Sequence, residues 1–241
     1  MHALTFSFLA ARYEEHADAL RGVRKEQQEL HDDGWQCGQA QLDDIEAEIT
    51  YLLLRDYRPE TLVEIGSLYG WSTSWILRAL RDNGHGSLYT YDVVDHVTRT
   101  MPPELSADRW VFREGDVRQN LAHLPADIDY LFIDAAHSAR FALWYIDHLF
   151  PRLRTGTPTS VHDVFHRRRP LPWTEGAVVL GWLRERDIPY FTAAKSHEPD
   201  VHDRLMRLRE RLGLADPIHS GQHNPMIFFT YARAGDPMPR R

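Results

Sequence analysis

The apolar positions of this chain fall into two regimes. Over the first 58 residues they recur at helical spacing, most clearly in QLDDIEAEITYLLLRDY, where Ile45, Ile49, Leu52 and Leu53 stand at i, i+4, i+7 and i+8. From Thr61 onward the pattern changes to short apolar runs, TLVEIG, SLYTYD, RWVFREGD, DYLFIDAA and TPTSVHD, separated by stretches of helical character. Strands alternating with helices imply right-handed crossovers and a parallel sheet. The helical stretches fit that scheme. STSWILRALRD opens on hydroxyl residues that can cap and then offers Trp75, Ile76 and Leu80, while SARFALWYIDHLF places Phe141, Trp144, Tyr145 and Leu149 on one face.

Beyond the fifth run come a basic loop, HRRRPLPW, a helix around Glu175–Arg186 and a short strand, PYFTA. An amphipathic helix then carries Val201, Leu205, Leu208 and Leu212, and the last strand is MIFFTYA. The expected division is a helical N-terminal extension or lid over 1–58 and an α/β domain over 59–235, with a helical insertion at about 195–224 and PMPRR as a loose tail. No repeat is present.

Length and composition agree with one globular core. A net charge of −7 argues against a broad nucleic-acid-binding surface. The N-terminus lacks the basic start and long apolar run of a signal peptide or membrane span, and the single cysteine, Cys37, forms no internal disulfide, so a cytoplasmic protein is expected.

In an open parallel sheet, ligands sit beyond the carboxyl ends of the strands. The first strand ends in Val63-Glu64-Ile65-Gly66-Ser67-Leu68-Tyr69-Gly70, followed by Trp71-Ser72-Thr73-Ser74 opening a helix. Asp92 ends the second strand, where an acidic side chain can accept ribose hydroxyls, and Glu114-Gly115-Asp116 ends the third. Leu68 stands where a dinucleotide fingerprint would have its second glycine, which weakens a nicotinamide-cofactor reading.

Over roughly residues 60–165, "VEIGSLYGWST", "YTYD" and "REGD" resemble the glycine-rich motif, ribose-binding strand end and adenine-binding turn of the class I S-adenosylmethionine (SAM)-dependent methyltransferases. The resemblance implies a Rossmann-like α/β fold, mostly parallel with an antiparallel last strand and helices on both faces. It implies a SAM site formed by Glu64, Gly66, Ser67, Gly70, Ser72, Asp92, Asp116 and Asp134. The family often has glycine where this chain has Leu68.

Asp134-x-x-His137 and His162-Asp163 sharpen the likeness toward small-molecule O-methyltransferases of the macrolide-sugar and natural-product type. In that subgroup such residues bind a divalent cation and supply a base. Carried over, Asp134, His162 and Asp163 become metal ligands for a cation such as Mg²⁺ or Mn²⁺, and His137 the base. His162 replaces a carboxylate of the subgroup, which favours Mn²⁺, Fe²⁺ or Zn²⁺ over Mg²⁺. If no metal binds, His137 and His162 share the acid/base work.

The expected activity is methyl transfer to a hydroxyl of a small molecule, a natural product or sugar, by a homo-oligomer without nucleic-acid or membrane partners. A metal-independent small-molecule N-methyltransferase and a non-methylating SAM-fold binding or assembly protein are the alternatives. Trp173 and Glu175 are candidate pocket walls, and His166, Arg167, Arg168 and Arg169 read either as a substrate-anion site or as a solvated loop. His197, His202, His219 and His223 have no metal-ligand spacing and read as surface residues.

Overall fold

A computed structural model of the 241-residue chain describes residues 4–32, 42–165, 167–219, 225–233 and 235–236. Cys37, His166, His223 and the PMPRR tail lie outside the described residues.

Three helices come first: α1 (Phe6–Glu15), α2 (Ala17–Asp32) and α3 (Asp44–Tyr57). α3 begins with a reciprocal cap, the Asp43 side chain accepting from the Glu46 amide while Glu46 accepts from the Asp43 amide. Then follow β1 (Thr61–Ile65), α4 (Trp71–Asn83), β2 (Ser87–Asp92), the short α5 (His96–Thr100) and α6 (Pro103–Ser106), and β3 (Trp110–Glu114). The chain continues through β4 (Tyr130–Ile133), α7 (Ala139–His148), β5 (Pro158–Val161), α8 (Glu175–Glu185), β6 (Tyr190–Thr192), α9 (Pro199–Arg211) and β7 (Ile227–Thr230).

The seven strands lie in the order β3-β2-β1-β4-β5-β7-β6, with β7 antiparallel to both its neighbours and every other pairing parallel. The expected fold class holds, including the antiparallel last strand. One expectation fails: between β3 and β4 the chain makes only a single 3₁₀ turn, Leu121–His123, in place of a crossover helix. Pro125 and three aspartates, Asp116, Asp127 and Asp129, crowd this short connection and favour turns over helix.

Alternation along β1 divides the core. Leu62 packs with α3 and α4 on one face, while Val63 and Ile65 pack with Phe141 and Tyr145 of α7 and Val179 and Leu183 of α8 on the other. α9 is fastened to the first face by Leu205 and Leu208 and by a buried ion cluster in which Glu48 accepts from Tyr13, Arg24 and Arg209. Among the described residues no helix is long and apolar enough to cross a membrane.

Candidate active site

β1 and β4 are adjacent, but their chain connections leave in opposite directions, toward β2 and β5 respectively. A crevice therefore opens at their carboxyl ends. A cavity of about 440 Å³ lies there, within the range of ligand sites. It is lined by Ile65–Tyr69 after β1, Tyr91–Val93 at β2, Gly115–Arg118 after β3 and Asp134–His137 after β4, with Leu42, Trp71, Ser72, Phe141 and Asp163.

The turn after β1 depends on close backbone approach. Gly66 has φ +86°, and a Cβ there would meet the Asp134 carbonyl oxygen at 1.8 Å. Its glycine is set by the contact between β1 and β4 as much as by any ligand. Gly70, with φ +83°, is off the cavity lining and packs against Val97 and Met101. It ends the turn as the N-cap of the 13-residue α4 and supplies no side-chain cap to that helix.

Asp92 holds the turn in place. Its Oδ2 accepts from the Ser67 amide at 2.6 Å, the Ser67 hydroxyl at 3.2 Å and the Leu68 amide at 2.7 Å, while Oδ1 accepts from the Val94 amide at 3.1 Å. Oδ1 thus retains acceptor capacity at the cavity wall.

Glu64 does not line the cavity. It is fully buried and accepts from Ser72, Thr73 and Thr90 hydroxyls at 2.7–2.8 Å, tying β1 to α4 and β2. Burial pushes its pKa up to about 7 against the three hydroxyl bonds that favour the charged form. The folded state therefore holds this proton more tightly than the unfolded chain, and its contribution to stability is lost as pH rises from 4.5 to 7. Glu64→Gln is expected to abolish that loss, with a gap between variant and parent that grows to roughly 3 kcal/mol over this window in denaturant melts.

Asp116 is also engaged. Arg118 binds its carboxylate through Nε at 2.8 and 3.0 Å, through Nη2 at 2.5 Å and through its backbone amide at 2.9 Å. Each oxygen already accepts two hydrogen bonds, so a ligand amino group must compete with Arg118 for Asp116.

Three non-glycine residues on the cavity wall adopt left-handed backbone: Leu68 at φ 46°, His137 at 41° and Asp163 at 56°. Such strain gathers where a fold is constrained by function. Leu68 sits at the position where a glycine is common, and it costs about 1–2 kcal/mol there. Leu68→Gly is accordingly expected to leave stability unchanged or raise it by up to about 1 kcal/mol, after the added chain entropy of glycine is offset; a thermal melt checks this.

The ends of β4 and β5 bring the remaining candidates together. The His162 side chain is completely buried, with Nδ1 3.3 Å from Asp134 Oδ1 and 3.1 Å from Asp163 Oδ1. Both contacts are those of an ion pair, short but poorly aligned for a hydrogen bond. Its Nε2 meets Glu46 Oε2 at 3.2 Å. Burial opposes the imidazolium, but the charges of Asp134 and Glu46 outweigh it and raise the His162 pKa well above 6.5.

His137 faces three carboxylates. Its Nδ1 lies 3.2 Å from Asp163 Oδ2 and 3.5 Å from Glu175 Oε2, and its Nε2 lies 3.6 Å from Asp134 Oδ1. Burial pulls its pKa down, yet Glu175, Asp163 and Asp134 together raise it above 6.5. Ser138, the next residue, caps α7 by accepting from the Phe141 amide, which fixes where His137 leaves the loop.

The structure thus joins Asp134, His137, His162 and Asp163 in one cluster. Glu46 belongs to it and was not legible as a site residue, because its position reads only as the third residue of a capping box. Glu175 enters more closely than a pocket wall: it is 1 % exposed, neither carboxylate oxygen has a hydrogen-bond partner, and burial drives its pKa up against His137 and Tyr145. Trp173 stands 71 % exposed, and the chain beside it bridges Thr174 to Ser138. Arg167, Arg168 and Arg169 are exposed. His197 stacks on Phe165 at 4.0 Å and donates to the Arg168 carbonyl, while His219 packs edge-on against Trp71.

This sheet order, the glycine turn held by an acidic residue of β2 and the crevice between β1 and β4 define the class I methyltransferase fold. Residues 63–164 match the family model described as a methyltransferase domain. That segment spans β1 through β5, and the sheet around it has the class I methyltransferase fold. Similar solved structures share the fold at low identity. The O-methyltransferase from Bacillus cereus in complex with S-adenosylhomocysteine (SAH) is 18% identical, with 94% of this chain and 100% of that one covered and a TM-score of 0.52. The SAH-bound methyltransferase PaMTH1 of Podospora anserina is 15% identical over 97% and 99% of the two chains, with a TM-score of 0.57. TomG of Streptomyces achromogenes, an O-methyltransferase of tomaymycin synthesis in complex with SAM, is 17% identical over 87% and 90%, with a TM-score of 0.50. No curated protein sequence matches the chain.

Proposed function

We propose that the protein transfers a methyl group from SAM to a hydroxyl of a small molecule with the help of a divalent cation. The observation that carries this reading is the buried Nδ1 of His162 set between carboxylate oxygens of Asp134 and Asp163. Donors that share one ion at about 2.1 Å and at tetrahedral or octahedral angles stand about 3.0–3.4 Å apart. The His162 Nδ1 distances to the two aspartates, 3.1 and 3.3 Å, match that spacing. One imidazole with two carboxylates suits Mn²⁺, Fe²⁺ or Zn²⁺ better than Mg²⁺.

The residues around the cavity suit SAM in the same way. Asp92 Oδ1 is available to ribose hydroxyls, and the N-terminus of α4 stands at the end of the Gly66–Gly70 turn, where it favours a carboxylate. Ser67 lines the turn, and Ser72 connects the cavity wall to buried Glu64. Asp116 is the acceptor for the adenine amino group once Arg118 yields one of its hydrogen bonds.

Methyl transfer from the sulfonium of SAM is an in-line displacement in which positioning supplies much of the rate. Asp134, His162 and Asp163 would hold the cation, whose chemistry is to orient the acceptor hydroxyl and lower its pKa. His137 stands beside this group, its Nε2 toward Asp134, where it can take the hydroxyl proton. Two of the three carboxylates that raise its pKa, Asp134 and Asp163, are ones a cation would neutralise, so loading the site lowers the His137 pKa toward the range of a neutral base, with Glu175 left to orient the ring.

Titration of the purified protein with Mn²⁺ or Zn²⁺, followed by screening of small hydroxyl acceptors with SAM, tests the proposal. The expected result is saturable metal binding and a methyl ether product whose formation stops on chelation and resumes on adding the ion. Turnover of an amine acceptor that is indifferent to chelation would favour metal-independent N-methylation instead.

A further inference from the structure

The buried contact between Glu46 and His162 joins the N-terminal helical region to the strand end that bears the candidate metal ligands. We propose that Glu46 is a positioning residue: its carboxylate holds the proton on His162 Nε2, and thereby presents Nδ1 to the cation shared with Asp134 and Asp163. This inference rests on the metal-assisted reading above. It places part of the metal centre outside residues 63–164, in the first turn of α3.

The geometry leaves His162 little choice. Its ring has two nitrogens, and the structure assigns each a different neighbour: Nε2 has Glu46 Oε2 at 3.2 Å, and Nδ1 has the two aspartates. Both the ring and the Glu46 carboxylate are essentially inaccessible to solvent, so water cannot exchange the roles of the two nitrogens. Ligating histidines commonly donate their second N–H to a carboxylate, which fixes the ring's tautomer and orientation and strengthens the donor.

Glu46 is itself rigid. Its Oε1 accepts from the Met226 amide at 2.8 Å and its Oε2 from the Asp43 amide at 3.2 Å, so the start of α3, the residue before β7 and His162 meet on one side chain. The imidazole and the carboxylate behind it form a matched pair, since a carboxylate at position 162 would be repelled by Glu46.

The test is calorimetric titration of the full-length chain with Zn²⁺ and with Mn²⁺, each alone. Glu46→Gln is expected to weaken binding about 10–100-fold relative to the parent. Glu46→Asp keeps the charge but withdraws the oxygens by one methylene, and it is expected to weaken binding too; it serves where the glutamine variant does not fold. A purely structural role is separated by repeating Glu46→Gln in a His162→Asp background, where the substitution is expected to cost nothing or to tighten binding by relieving repulsion. Unchanged affinity in both Glu46 variants overturns the proposal, and so does an equal loss with and without His162→Asp. Where His162→Asp alone does not bind, the two Glu46 variants decide by themselves. A parent protein that binds neither ion removes the metal-assisted reading itself, a different result from a parent that binds and is indifferent to Glu46.

Discussion

His137→Gln is expected to lower methyl transfer by about 10²–10⁴-fold, the range that general bases contribute, while affinity for SAH stays within about twofold of the parent. The separation follows from the geometry. His137 lies against Asp134, Asp163 and Glu175 at the far side of the cavity from Asp92 at the end of β2 and Asp116 after β3, the side that fits the nucleoside. A glutamine can keep a polar contact with these carboxylates but cannot accept a proton at neutral pH. The parent's rate is expected to rise with pH through the His137 titration, because the base must be neutral to take the hydroxyl proton. In the glutamine variant that ascending limb disappears. Equal rates for variant and parent on an identified acceptor would remove His137 from the chemistry.

Gly66→Ala is expected to have the largest effect on the fold of the site. The added Cβ would stand 1.8 Å from the Asp134 carbonyl oxygen and 2.7 Å from its carbonyl carbon, both backbone atoms that cannot swing aside. It would also force a non-glycine residue to φ +86°. Either β1 or β4 must move, and both carry the cavity wall. The expected cost is about 3–5 kcal/mol of stability, the range of severe overpacking with backbone strain, together with loss of SAH binding. A denaturant melt measures the first and calorimetry the second. A variant as stable as the parent would mean that the β1 end relaxes far more easily than its hydrogen bonds imply, Gly66 to Tyr91 of β2 and Asp134 to Ile65, both 2.8 Å.

Much of this arrangement is legible in the residues alone, for identifiable reasons. The strands announce themselves because each is an apolar run that stops at a polar residue, and in a parallel sheet those stops fall on one edge; that is how Asp92, Asp116, Asp134 and Asp163 could be read as a group. The β3–β4 connection was less legible, because turns there are favoured by a proline and scattered aspartates rather than by one strong signal.

What the chain order hides are contacts between distant segments. Glu46 and His162 are 116 positions apart, and the Asp-x-x-Glu spacing that makes Glu46 a helix cap gives no sign of its second role. Glu175 looks like any acidic residue in a first helical turn, yet burial beside His137 makes it part of the cluster. Glu64 shows the reverse: it lies in the glycine-rich stretch, but alternation along β1 turns it into the core beneath Ser72 and away from the cavity. Arg118 could have been anticipated, since a side chain two positions after Asp116 in a turn is within reach of its carboxylate.

Calorimetric titration of the purified full-length chain with SAH tests the central claim most directly. The account predicts saturable one-to-one binding that Asp92→Ala abolishes, since that side chain both holds the Ser67–Leu68 turn and faces the cavity. A folded protein that shows no binding of SAH, or of SAM, would contradict it.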